Sequence, residues 1–154
     1  MVIWIDQSGE APIYLQIRNQ IIEGIACGEL SPGDSLPSVR QLAADLGINL
    51  HTVNKAYAVL RDEGYVAMQG RKGAFIANAQ SIGAPSHQAI GDERMASGIY
   101  RLALEHRARG GTPESFMAVA KSQVAYAFEI DDPSNIKDNL PQKETSYMKS
   151  RAKP

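Results

Sequence analysis

This 154-residue sequence predicts an α+β, mostly α-helical fold, and three observations carry the prediction. Apolar side chains recur at three- and four-residue spacing in five separate segments. Two short apolar stretches, residues 65–68 and 74–77, flank the Gly-rich basic loop Gln69-Gly-Arg-Lys-Gly73, as in a hairpin. Two of the helical segments are joined by the tight turn at Gly47, the arrangement of a helix-turn-helix followed by a wing.

Residues 1–11 read as an extended entry segment. Pro12 stands near the first helical position, where its missing N–H costs nothing. Tyr14, Ile17, Ile21 and Ile25 then share one helical face, and Gly28 and the Leu30-Ser-Pro-Gly-Asp34 turn end that helix. Ser38 can cap the second helix, whose buried side is Val39, Leu42, Ala43 and Leu46. The third helix buries Val53, Ala56, Tyr57 and Leu60 and stops at Gly64.

Residues 10–77 thus form an N-terminal winged helix-turn-helix domain, and 78–86 a linker. A helical region follows over 87–130. Its first helix, from Gln88 to Ala108, carries Met95, Ile99, Leu102 and His106 on one stripe. Gly110-Gly111 breaks it. Thr112-Pro113-Glu114 starts a second helix, with Phe116, Val119, Ala120, Val124 and Ala127 on its apolar side. Residues 131–154 are polar and read as a disordered tail.

Composition narrows the function. The apolar fraction of 44% supports a core, and the net charge of −1 excludes a generally basic nucleic-acid glue. Acids and bases also balance over residues 11–77, but Arg40, Lys55, Arg71 and Lys72 fall where a winged helix meets DNA. The single cysteine, Cys27, excludes an intramolecular disulfide or a cysteine zinc cluster and reads as a small buried residue. His51, His87 and His106 have no metal-site spacing, Asp131-Asp132 reads as a solvated helix end, and no catalytic constellation or cofactor motif is present. The expectation is a non-enzymatic cytoplasmic protein with no metal, no cofactor and no membrane association.

The third helix turns His51, Asn54, Lys55 and Ala58 outward, with Thr52 at the flank and Asn49 at its start. That set combines a charged donor, an amide suited to adenine and an imidazole, with an alanine small enough for close approach. Ser38 and Thr52 stand at helix N-termini that suit phosphate oxygens, and Arg40 can grip a phosphate or reach a base. In the wing, Gly70 and Gly73 allow close backbone approach, and Arg71 and Lys72 can enter the minor groove. The competing reading is a winged module that docks a protein partner without specific DNA binding.

Four stretches resemble the DNA-binding domain of GntR-family transcription regulators: Pro12-Ile-Tyr-x-Gln-Ile, Gly28-x-Leu-x-Pro-Gly-Asp-x-Leu-Pro-Ser-Val-Arg40-x-Leu-Ala, Ile48-Asn-x-x-Thr-Val-x-Lys-Ala-Tyr57 and Leu60-x-x-x-Gly-Tyr65. The resemblance implies binding to double-stranded operator DNA as a homodimer, usually to repress. It implies DNA contacts at Ser38, Arg40, Asn49, His51, Thr52, Asn54, Lys55, Gly70, Arg71 and Lys72. The wing departs from the family: many members have Arg-Gly-x-Gly-Thr-Phe, and this chain has Gly70-Arg-Lys-Gly-Ala-Phe75.

The short C-terminal part resembles the YtrA-type subfamily, whose helical extension is a dimerisation element, and implies as target an operon for a transporter and the regulator itself. Two helices of this size bury little alone, and a second copy would cover their stripes. The residues expected at that interface are Met95, Ile99, Leu102, His106, Phe116, Val119, Ala120 and Val124. A two-fold dimer would set two recognition helices about 34 Å apart, matching half-sites of an inverted repeat. No effector is indicated.

Overall fold

The structure, a computed structural model, describes residues 2–70, 73–78, 82 and 84–128. In chain order the elements are helix α1 (Ile13–Ala26), α2 (Val39–Leu46) and α3 (Leu50–Asp62), strands β1 (Val66–Met68) and β2 (Ala74–Ile76), then α4 (Pro85–Ala108) and α5 (Pro113–Phe128). The chain divides into two compact units, residues 1–100 and 101–154.

In the first unit the core lies among α1, α2, α3 and the hairpin. It contains Ile17, Ile21, Leu36, Leu42, Ala43, Val53, Ala56, Tyr57, Leu60, Val66, Ala74 and Ile76. The helical periodicity of the sequence accounts for this: all four residues of the α3 stripe are buried, as are the two central residues of the α1 stripe. Each large aliphatic side chain fully removed from water contributes roughly 1.5–3 kcal/mol. Ile17, Ile21, Val53, Leu60 and Ile76 are such side chains and form the centre of the domain.

Helices α2 and α3 are each followed by a left-handed glycine. Gly47 has φ +62 after α2, and Gly64 has φ +82 after α3. In each case the glycine N–H and the next N–H fold back onto the last turn: Gly47 to the Ala44 carbonyl and Ile48 to that of Ala43, then Gly64 to Arg61 and Tyr65 to Leu60. A side chain at either glycine would strain this conformation, so Gly47 sets the bend that aims α3 away from α2.

β1 and β2 pair antiparallel in the register Val66–Ile76, Ala67–Phe75 and Met68–Ala74. A third extended piece joins them at Ser35, bridged to Phe75, with Leu36 N–H donating to the Ala74 carbonyl and Ile76 N–H to that of Asp34. That segment has the composition of a turn, so the sequence pattern does not announce its place beside β2.

The entry segment is extended, as its sequence suggests, and two glutamines hold it. Gln20, itself buried, accepts from the Trp4 N–H at 2.9 Å and donates to the Trp4 carbonyl at 2.6 Å. Gln16 does the same for Asp6, at 2.9 and 2.8 Å. Four residues of helix rise about 6 Å and two residues of strand about 6.6 Å, so the two spacings match. Ile3 and Ile5, on the alternate positions, pack against the core.

Cys27 is exposed, contrary to its expected burial. It follows the last residue of α1 as that helix's C-cap, beyond the stripe that turns inward.

Arg94, in the first half of α4, is anchored in this unit. The Glu63 carboxylate, buried at the end of α3, accepts from Arg18 of α1 at 2.7 and 2.8 Å and pairs on its other oxygen with Arg94 of α4. The α4 helix begins at Pro85, three residues before the segment its apolar spacing marks, with Pro in the first turn as helix starts allow.

In the second unit α4 ends at Ala108, Gly110 follows at φ +84, and α5 begins at a reciprocal cap. The Thr112 hydroxyl accepts from the Ser115 N–H at 3.2 Å, and the Ser115 hydroxyl accepts from the Thr112 N–H at 3.0 Å. The rings of His106 and Phe116 meet across the turn, tilted by 58° with centroids 5.8 Å apart, and the His106 ring lies 2.6 Å from the Ser115 hydroxyl. The tail expected over 131–154, including Asp131-Asp132, lies outside the described residues.

Candidate nucleic-acid interface

The outward face of α3 is built by the same periodicity that builds the core. With Val53, Ala56, Tyr57 and Leu60 turned in, His51, Asn54 and Lys55 stand exposed, and Thr52 and Ala58 are half-buried at the flanks. Tyr57 adds a tie: its hydroxyl donates to the Pro37 carbonyl at 2.9 Å, fixing α3 to the segment that enters α2. Burial pushes the Tyr57 phenol above its ordinary value, so it stays a neutral donor.

Both helix starts are capped by side chains expected at the interface. Ser38 accepts from the Gln41 N–H at 3.1 Å. Asn49 accepts from the His51 N–H at 2.8 Å, which leaves its amide donors uncommitted by that bond. A cap consumes one of the four orphan N–H groups at each helix start, and the remaining donors give the end a partial positive charge.

Arg40 is exposed one residue into α2. Among the described residues no acid pairs with Arg40, His51, Asn54 or Lys55; the ion pairs of the first unit sit at Glu63 and at Arg61–Asp62. The charge that could meet a phosphate is therefore not cancelled by an acid among the described residues, although the domain as a whole is nearly neutral.

The hairpin turn is closed by the Gln69 N–H donating to the Gly73 carbonyl at 2.9 Å. Gly70 is exposed at its edge. Arg71 and Lys72, expected at the wing tip, lie outside the described residues.

The residues expected at a subunit interface are placed separately. Met95, Ile99 and Leu102 on α4 and Val119 and Val124 on α5 are exposed apolar side chains, each about half or more open to solvent. Phe116 and Ala120 are half-buried, and His106 is half-buried in its contacts with Phe116 and Ser115. Neither helix has a buried residue in the single chain. Among the described residues no helix is long and apolar enough to cross a membrane, and no group of His, Cys, Asp or Glu could hold a metal ion.

Three features of the site region escape the sequence pattern. Lys55 lies over the ring of Tyr14. Glu63 gathers two arginines from helices far apart in sequence. His87 lies against Gly64, in space that a side chain there would fill. None has a local signature, since each pairs residues brought together only by the packing.

Comparison with known proteins agrees with the geometry. Residues 13–76 match the family model described as bacterial regulatory proteins, gntR family. The transcriptional regulator Rv1152 of Mycobacterium tuberculosis is 42% identical over 72 residues, covering 47% of this chain and 60% of that protein. The transcriptional repressor YtrA of Bacillus subtilis is 43% identical over 75 residues, covering 49% of this chain and 58% of that one. The chain thus matches somewhat under two thirds of the length of these curated relatives. The solved structure of YtrA from Sulfolobus acidocaldarius, a GntR-family transcription factor, aligns with a TM-score of 0.54 at 41% identity, over 68% of this chain and 99% of that one. Capped helices, a glycine bend, an outward polar helix face and a two-stranded wing coincide with these matches, and the chain belongs to the GntR family of bacterial transcription regulators as a YtrA-like member.

Proposed function

We propose that the protein is a homodimeric transcription repressor that binds an inverted-repeat operator, with α3 in the major groove of each half-site. Its N-terminal winged domain, residues 10–77, is the reading head. A linker, expected over 78–86 and cut short at Pro85 where α4 begins, leads to the helical dimerisation region expected over 87–130. Asn54, His51 and Lys55 face base edges and Arg40 the backbone, while Ser38, Asn49 and Thr52 set the register at the helix starts. Gly70, Arg71 and Lys72 supply the wing contact. The control acts by occupancy: the operator-bound protein excludes polymerase.

One observation carries this reading. The exposed side of α3 holds His51, Asn54 and Lys55 with no acid paired to any of them among the described residues, next to two side-chain-capped helix starts. Support for the dimer is of a different kind. A helix with Met95, Ile99 and Leu102 exposed on one stripe leaves apolar surface in water, and a second copy would cover it. By the same resemblance, the operator lies before a transporter operon that includes the regulator itself, and the protein works inside the cytoplasm.

Gel-shift and sedimentation measurements test both parts together. DNA from upstream of the protein's own coding sequence should be retarded by the wild-type chain, which should sediment as a dimer. Leu102→Glu should shift it toward monomer and weaken DNA binding. A monomeric wild-type chain would refute the dimer. A chain that binds no duplex above background, whatever its oligomeric state, would leave the protein-docking module standing instead.

A further inference from the structure

The Lys55 ammonium lies 4.0 Å from the centroid of the Tyr14 ring. Tyr14 is in the first turn of α1 and Lys55 is in the middle of α3, so the contact joins the two helices whose packing forms the core. Lys55 is exposed and Tyr14 half-buried. The ring face carries negative quadrupole charge and attracts a cation without bearing a charge of its own.

That difference matters on a DNA-binding face. A carboxylate partner would cancel the lysine's field and would have to be released before a phosphate or base could take its place. An aromatic face restrains the head and leaves the full positive charge on display. A free lysine has among the largest side-chain entropies of any residue, and part of that is lost on immobilisation by a ligand. If the ring has already narrowed the ensemble, less is lost on binding.

We propose that Tyr14 is a positioning residue for DNA recognition: its ring pre-orders the Lys55 ammonium on the outer face of α3. This rests on the reading that this face meets DNA. The ring face is the active element, and the Tyr14 hydroxyl has no part in it.

The test uses the full chain and a short duplex recovered by the wild-type protein from a randomised pool. Tyr14→Leu should weaken binding about two- to fivefold, the lower part of the ordering cost of one long side chain. Tyr14→Phe should retain most of the affinity. In a Lys55→Ala background, Tyr14→Leu should change nothing further, because the ring acts only through the lysine. The dependence of affinity on salt should keep its slope in Tyr14→Leu, since no phosphate contact is removed. In the free protein, the Lys55 Hε protons should resonate upfield from the ring current in wild type and Tyr14→Phe. That shift should vanish in Tyr14→Leu.

Additive losses in the double variant, tighter binding by Tyr14→Leu, or no upfield shift in the wild-type protein would each overturn the proposal. Equal losses in Tyr14→Phe and Tyr14→Leu would assign the effect to the hydroxyl and overturn it too. Failure of the wider reading is distinct. If the pool yields no duplex, or Lys55→Ala binds as wild type does, α3 is not the reading surface and the proposal falls with it. If Lys55→Ala weakens binding while Tyr14→Leu does not, only the positioning role is lost.

Discussion

Removing the Glu63 carboxylate should be among the most destabilising single changes outside the aliphatic core. In Glu63→Ala, Arg18 loses its partner while its own side chain stays 16% exposed, so its charge is left largely out of water. Breaking a buried ion pair by deleting one member costs about 3–5 kcal/mol. Residual exposure of Arg18 lets water relieve part of that, which places the loss near 3 kcal/mol, the low end of that range. For a domain of this size each kilocalorie moves the melting temperature by roughly 4–8 °C, so Glu63→Ala should melt about 12–24 °C lower.

Arg94 supplies the contrast. It pairs with the same carboxylate, but its side chain is 51% exposed. Solvent screens such a contact, and Arg94→Ala should cost no more than about 1 kcal/mol. Glu63→Gln, which keeps an acceptor for Arg18 but no charge, should fall between the two. Circular dichroism melts and urea titrations of the three variants measure the order. Equal stability of Glu63→Ala and Arg94→Ala, within about 0.5 kcal/mol, would refute the claim that burial of the Arg18 partner sets the magnitude.

Other consequences are open to direct measurement. Lys55→Ala or Arg40→Ala should each cost roughly 1–3 kcal/mol of operator binding with the far-ultraviolet spectrum unchanged. If three or four basic side chains per subunit meet phosphates, a dimer's log affinity should fall with log salt at a slope of about −5 to −7. Glu114 is held below its ordinary value of 4.5 by its own backbone N–H and the Thr112 hydroxyl. A lowered carboxyl stabilises the fold above its unfolded value and loses that contribution as pH falls through the folded one. The start of α5 should therefore loosen only below about pH 4.5, and Glu114→Gln should abolish that dependence, as followed by NMR of the Ser115 amide.

The parts of the molecule that follow a period were legible in the sequence. Val53, Ala56, Tyr57 and Leu60 are buried because a helix returns them to one side, and the same turn puts His51, Asn54 and Lys55 in solvent. Ser38 as a cap and Gly47 as the bend were legible for the same reason: their chemistry acts within a few residues. What the pattern missed depends on distance in sequence. The Ser35 bridge comes from a stretch that reads as a turn. Gln16 and Gln20 look like ordinary polar helix residues until the entry segment lies beside them. Glu63 looks like a solvated acid at a helix end, and only the crossing of α1 turns it into a buried partner. The orientation of the candidate site was thus readable, and its supporting contacts were not.

The glutamine pairs at the entry segment make a strand that has no sheet. Its Trp4 and Asp6 peptide groups are met by side-chain amides, so helix α1 serves as the neighbouring strand for two rungs. Side chains can supply such rungs only at these two heights, which makes the segment intolerant of a one-residue slip: an insertion between Trp4 and Asp6 would uncouple one rung and swing Ile3 or Ile5 off the hydrophobic floor. The first residues of this protein are therefore spliced to the fold by register rather than draped over it, and length changes there should be felt in α1, the helix on which Tyr14 is carried.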